Sequence, residues 1–253
     1  MAEQKIFEAS QEAKAKASQL RMFAFIAWIV AIGGEVFAIL KLIHNNTLTW
    51  LIVAIVAILI LSVIGSTLWK QANHIDPPSE KDKAKFFLQS QLGAIMGALS
   101  FLPLVILILV NKNIDGKTKG IAGAVAGIAA VIALAAGIDF NPASIEKYTN
   151  EINQQDSVLH QLVPGAETVY WIGSSGKEKD AKHKYHIYQD CQYLRGKTVQ
   201  SGTIKQTFDN NGESELCKVC ENRARKGQNG TNNNGSNEII NDIKKAADSL
   251  IKK

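Results

Sequence analysis

Four apolar blocks, each long enough to cross a bilayer, fill most of the first 138 residues and restrict what this chain can fold into. Met22 to Ile43 is interrupted only by Gly33, Gly34, Glu35 and Lys41. At 1.5 Å rise per residue it covers roughly 33 Å, the thickness of a hydrocarbon core. Leu48 to Trp69 carries no charge, and Trp50 and Trp69 stand near its ends, where interfacial aromatics are expected. A soluble core helix would show a polar face, and this block shows none. Leu88 to Val110 contains Pro103, which a membrane bundle accommodates more readily than a soluble helix. Ile121 to Ile138 is uncharged and rich in Ala and Gly, with Gly123 and Gly127 at the small-xxx-small spacing that brings helices, or two copies of a chain, into close contact.

These blocks predict an α-helical multi-pass membrane protein with four transmembrane helices, at about 22–43, 48–69, 88–110 and 121–138, together the domain 22–138. The 21 residues ahead of the first block include Glu3, Glu8 and Glu12 and the block itself is too long for a signal peptide, so it is expected to be retained. Residues 1–21 are then an N-terminal cytoplasmic helix. Lys5, Lys14, Lys16, Arg21, Lys70, Lys81, Lys83, Lys85 and Lys147 flank one side of the spans, so both termini are expected in the cytoplasm of a cell-membrane protein. Lys41 lies on the other side, as do Lys112, Lys117 and Lys119 of the third loop, which argue against that orientation.

The remainder is polar. A stem is expected over 139–166, a module over 167–226, a disordered linker over 227–237 and an amphipathic helix over 238–253. Within the module, Thr168 to Ile172 and Lys184 to Tyr188 read as strands joined through a turn at Gly173 to Gly176. The Gly-Lys pair there does not make a phosphate loop, since Trp171 and Glu178 replace the required Gly and Ser/Thr.

All three cysteines fall in this module. Together with His186 they read H-x4-C-x25-C-x2-C, from His186 through Cys191 to Cys217 and Cys220. Three thiolates and an imidazole suit a tetrahedral structural Zn2+, and four protein ligands leave no open position for a catalytic water. His183 is a rival ligand at H-x7-C, and Cys217 with Cys220 would also suit a thiol/disulfide pair. Too few cysteines are present for a disulfide scaffold.

The stretch Tyr185 to Arg225, with YHIYQDCQYLRG ahead and ELCKVCENRAR behind, resembles the zinc-binding module of the Ada family of DNA repair proteins. The resemblance covers roughly 40 residues and implies a small zinc-bound fold, with Cys191, Cys217 and Cys220 as ligands. In that family the first cysteine of the set accepts a methyl group. His186 stands at that place, so the resemblance implies ligands and fold and no methyl transfer.

The net charge of +5 is divided almost evenly between the halves and is no nucleic-acid footprint in itself. Within the module, Arg195, Lys197, Lys218, Arg223 and Arg225 offer contacts to nucleic acid or another anion, with Tyr188 and Tyr193 as stacking platforms, although Asp190, Glu215 and Glu221 offset them. Glu35 is the one acidic residue deep inside a span, a functional candidate or a hydrogen-bonded structural group with Ser62, Ser66 or Ser100 as donor. No catalytic set appears, so no enzyme is expected. The expected role is a membrane anchor whose zinc module, or residues 238–253, engages a protein or nucleic-acid partner. The alternative is a small transporter or channel working through Glu35.

Overall fold

The computed structural model describes residues 6–173, 184–211 and 214–227. The amphipathic helix expected over 238–253, the linker beyond residue 227, the turn at 174–176 and His183 lie outside the described residues. The chain divides into two units at Thr149.

The first unit is a helical bundle. Helix α1 (Gln11–Lys41) starts at Ser10, whose hydroxyl accepts the Ala13 amide at 3.2 Å. It merges the expected N-terminal helix with the first span, because nothing between Gln11 and Lys41 breaks the hydrogen-bond ladder. Then come α2 (Leu48–Ile75), α3 (Lys83–Leu99), α4 (Leu102–Val110) and α5 (Gly116–Gly137), whereas α6 (Ile145–Leu162) runs across the division at Thr149. Lys83–Val110, Gln11–Lys41, Leu48–Ile75 and Gly116–Gly137 are four helical stretches long and apolar enough to cross a membrane.

The third of these is discontinuous. Pro103 has no N–H to give the Leu99 carbonyl, and the helix stops at Ser100 and Phe101 before restarting as α4. The four stretches bury small and polar groups together with large apolar ones such as Trp28, Leu51, Ile55, Leu104 and Ile108, and they also turn many large apolar side chains outward. Ala24, Ala31, Ala126, Ala133, Ser62 and Ser66 are buried, whereas Ile29, Trp50, Ile60 and Val131 are exposed.

α3 and α5 approach each other closely through their backbones. A Cβ placed on Gly137 would lie 2.5 Å from the Gly93 carbonyl, and one on Gly97 would lie 3.0 Å from the Ala133 oxygen. Two small-xxx-small pairs, Gly93/Gly97 and Ala133/Gly137, therefore face each other. Gly123 and Gly127 are placed otherwise. Gly123 meets the Leu109 side chain of α4, and Gly127 has nothing within 4 Å. Trp28 of α1 lies flat against Gly65 of α2, where a Cβ would come within 2.6 Å of its ring nitrogen.

One end of the bundle is tied by polar bonds. Arg21 donates to the Asp76 carboxylate at 2.8 Å and sits over the Trp69 ring. The Trp69 indole and the Asn73 amide both donate to the Gln89 carbonyl, at 2.7 and 2.9 Å. Lys70 donates to the Ala136 carbonyl at 2.6 Å, placing a cation at the negative end of α5.

The second unit is a small α/β module. Its sheet has the order β3-β1-β2-β4, with β1 (Val169–Ile172), β2 (Lys184–His186), β3 (Val199–Gly202) and β4 (Glu215–Leu216). β1 pairs antiparallel with β2 and β3, and β2 pairs parallel with β4. Helix α7 (Ile204–Asn211) precedes β4, and residues 218–227 form a last helix. Val169, Trp171, Tyr185, Leu194, Ile204 and Phe208 are buried in it.

Candidate metal centre

Each of the four sequence-chosen ligands sits where an element ends. His186 is the last residue of β2, and Cys217 follows β4 directly. The parallel register Tyr185↔Leu216 brings these two strand ends together, and the Cys217 amide donates to the Tyr185 carbonyl at 2.9 Å. Cys191 closes the turn after β2, its amide donating to the Tyr188 carbonyl at 3.2 Å. Cys220 lies in the first turn of helix 218–227, where the Glu221 amide bonds back to the Cys217 carbonyl at 3.0 Å.

The result is a buried tetrad. The ligand atoms of His186, Cys191, Cys217 and Cys220 all lie within 4.8 Å of one another. His186 Nδ1 is 3.6 Å from the Cys220 sulfur. A tetrahedral ion with metal–sulfur bonds of about 2.3 Å and metal–nitrogen bonds of about 2.0 Å sets that edge at about 3.5 Å. The set thus fits a metal such as zinc through Nδ1. All three cysteines are free thiols, so the alternative disulfide between Cys217 and Cys220 is not formed.

The electrostatics suit ligation. Burial, with Lys197 nearby, lowers the His186 pKa and favours the neutral imidazole that binds metal. Burial pushes the Cys220 thiol up to about 12, against the Tyr188 and Ile187 amides, which bond to its sulfur. A metal therefore has to displace protons here, and those amides are already in place to stabilise the thiolate.

The basic residues around the centre are only partly available. Arg223 stacks over the Tyr188 ring at 4.2 Å and donates to Asp190 at 2.7 Å. Arg225 bonds to Glu221 at 2.8 Å. Arg195, Lys197 and Lys218 are exposed. Of the five sequence-chosen contacts, two are thus committed to acidic neighbours.

Glu35 belongs to the bundle and has a different use. It is 3% exposed, and its Oε1 accepts the backbone N–H of Leu104 at 3.1 Å. None of the three expected serines is its donor. Ser66 donates to the Gly93 carbonyl and Ser100 to the Met96 carbonyl, while Ser62 has no hydrogen-bond partner among the described residues. The break before Pro103 frees the Leu104 amide, and Glu35 takes it up.

Two features escaped the sequence. The parallel β2–β4 pairing involves a strand of two residues, too short to leave a period. The Gly93-x3-Gly97 pair had a visible signal, the same spacing that drew attention to Gly123 and Gly127. No protein-family model, curated protein or solved structure matches this chain.

Proposed function

We propose that this chain is an integral membrane protein whose four-helix bundle holds a structural-zinc module at the cytoplasmic face, where the module engages a partner. The observation that carries it is the buried His186, Cys191, Cys217 and Cys220 tetrad, with ligand atoms within 4.8 Å. Three thiolates select a borderline-soft ion, and reduced thiols persist in the cytoplasm. A zinc held by these four residues would have its coordination closed and supply no reaction, and would instead hold together elements too short to fold alone. The resemblance of residues 185–225 to the Ada-family module supports the same metal and role.

Membrane insertion is supported by the apolar exterior, where Ile29, Trp50, Ile60 and Val131 are exposed, since lipid asks for no polar surface. Cytoplasmic placement of both termini follows from the excess of Lys and Arg at the end bearing Arg21, Lys70 and Lys83. The partner is a protein first, because Arg223 and Arg225 are paired with acidic residues and leave a weak footprint for nucleic acid. Residues 238–253 are the second candidate for that contact.

The other reading, a small transporter or channel working through Glu35, draws on the helix break at Ser100 and Phe101, since discontinuous helices often line ion sites. It is the weaker one, because the Glu35 carboxylate is engaged by Leu104. The test uses the full chain purified in detergent. About one zinc per chain is expected, lost in Cys217→Ser, and in intact cells a cysteine introduced as Ser236→Cys should be labelled only from the cytoplasmic side. A metal-free chain whose module is folded would refute the zinc reading, and an ion flux abolished by Glu35→Gln would favour the transporter.

A further inference from the structure

The first turn of α3 is built against its own dipole. Lys83 and Lys85 stand in that turn, beside the N-cap Asp82, and no acidic residue lies within it. Cations at a helix N-terminus weaken the helix, so stability does not account for them. Lys81, just outside the helix, is exposed like the other two. The loop that presents them is ordered. The Ser79 hydroxyl and the Glu80 amide donate to the Glu146 carboxylate at 2.6 and 2.8 Å, and the Ile145 amide donates to the Pro78 carbonyl at 3.1 Å.

One turn further along α3, Phe87 and Leu88 are 61% and 56% exposed. On the following turn Gln91 exchanges two hydrogen bonds with the backbone of Asp139, donating at 2.9 Å and accepting at 3.2 Å. That fixes the next residue, Phe140, beside the same stretch of α3, and Phe140 is 84% exposed. Lys83 and Lys85 therefore precede Phe87 and Leu88 on α3 by about one helical turn, roughly 5 Å along the axis. The acidic groups here are mostly occupied. Asp82 accepts the Lys85 amide at 3.1 Å, and Glu146 holds the loop and attracts Lys81. Asp139 faces His74, and Glu80 and Asp82 are exposed beside the three lysines.

We propose that Lys81, Lys83 and Lys85, above Phe87, Leu88 and Phe140, form a binding surface for the anionic phospholipid headgroups of the leaflet at this end of the bundle. The proposal rests on the membrane reading given above. Lysines meet the headgroup phosphates while the apolar side chains enter the acyl boundary below them, and the ordered loop has little freedom to lose on binding. Each lysine near an anionic surface is worth about a fivefold gain in association.

The full chain, reconstituted in phosphatidylcholine vesicles at low salt, is titrated with spin-labelled phosphatidylglycerol or phosphatidylcholine, and the immobilised fraction is read by electron paramagnetic resonance. The protein should prefer phosphatidylglycerol by at least about fivefold. In K81Q/K83Q/K85Q that preference should vanish with the melting temperature kept or raised, and F140S should weaken it. Equal preference in the triple variant, or none in the unaltered chain, overturns the proposal. So does loss of the preference to inorganic phosphate beyond the effect of chloride at equal ionic strength, which would mark a free-anion site. Release of the protein from vesicles by alkaline extraction would instead defeat the membrane reading, whereas retention without lipid preference defeats only this one.

Discussion

Glu35 on α1 and Leu104 on α4 are joined by a 3.1 Å hydrogen bond from a backbone amide to a buried carboxyl oxygen, 69 residues apart in the chain. The bond explains two sequence oddities together. Pro103 opens the helix, and Glu35 satisfies the amide that the opening exposes.

Glu35→Gln keeps an acceptor for that amide and should shift stability little. Glu35→Leu leaves it unpaired and should cost about 1–3 kcal/mol. Thermal unfolding of the detergent-solubilised chain distinguishes the two, and equal losses would remove the capping role.

Gly137→Ala should destabilise the bundle by about 1–3 kcal/mol, because a Cβ there meets the Gly93 backbone and backbone cannot step aside as a side chain can. Gly127→Ala meets nothing within 4 Å and should be neutral or stabilising by up to about 1 kcal/mol through helix propensity. The same pair of substitutions tests self-association: if Gly127 joins two copies, its alanine variant should weaken a crosslinked dimer without lowering the melting temperature.

His186→Cys should retain metal, because four thiolates also make a closed zinc set, whereas Cys220→Ser and His186→Ala should lose it. Elemental analysis reads the content, and hydrogen exchange over residues 184–211 and 214–227 reads the fold. Apparent binding energies of about 10–16 kcal/mol for small zinc modules mean that metal removal should abolish protection across the whole tetrad.

Glu146 provides a pH test. Burial opposes its charge, yet the Ser79 hydroxyl, the Glu80 amide and Lys81 outweigh it and hold its carboxyl below the ordinary value of 4.5. A carboxylate lowered on folding contributes stability present above that ordinary value and lost as pH falls through the folded one. Protection of the loop over residues 78–82 should therefore hold at neutral pH and fall in that acid range. In Glu146→Gln it should be weak at both, with no acid step.

The four long apolar helical stretches were legible because lipid-compatible helices need long uninterrupted apolar runs, and Leu48 to Trp69 is such a run in the bare sequence. The candidate metal ligands were legible for a different reason. Cysteine is scarce, and three in a 30-residue interval beside a histidine stand out against any background. The β2–β4 pairing was not, since Glu215 and Leu216 are too few to show alternation. Nor was the donor to Glu35, because a backbone amide has no signature in residue type.

The sequence by itself thus determined the four long apolar stretches and which four side chains gather in one buried His/Cys cluster. Both are properties of residue type and spacing along the chain. Only the tertiary structure decided which glycines meet, which amide Glu35 caps, and that His186 and Cys217 end neighbouring parallel strands. Those depend on register and helix rotation. Many sequence positions offer the same small or polar group, and packing selects among them by steric contact and by the need to pair each buried polar atom.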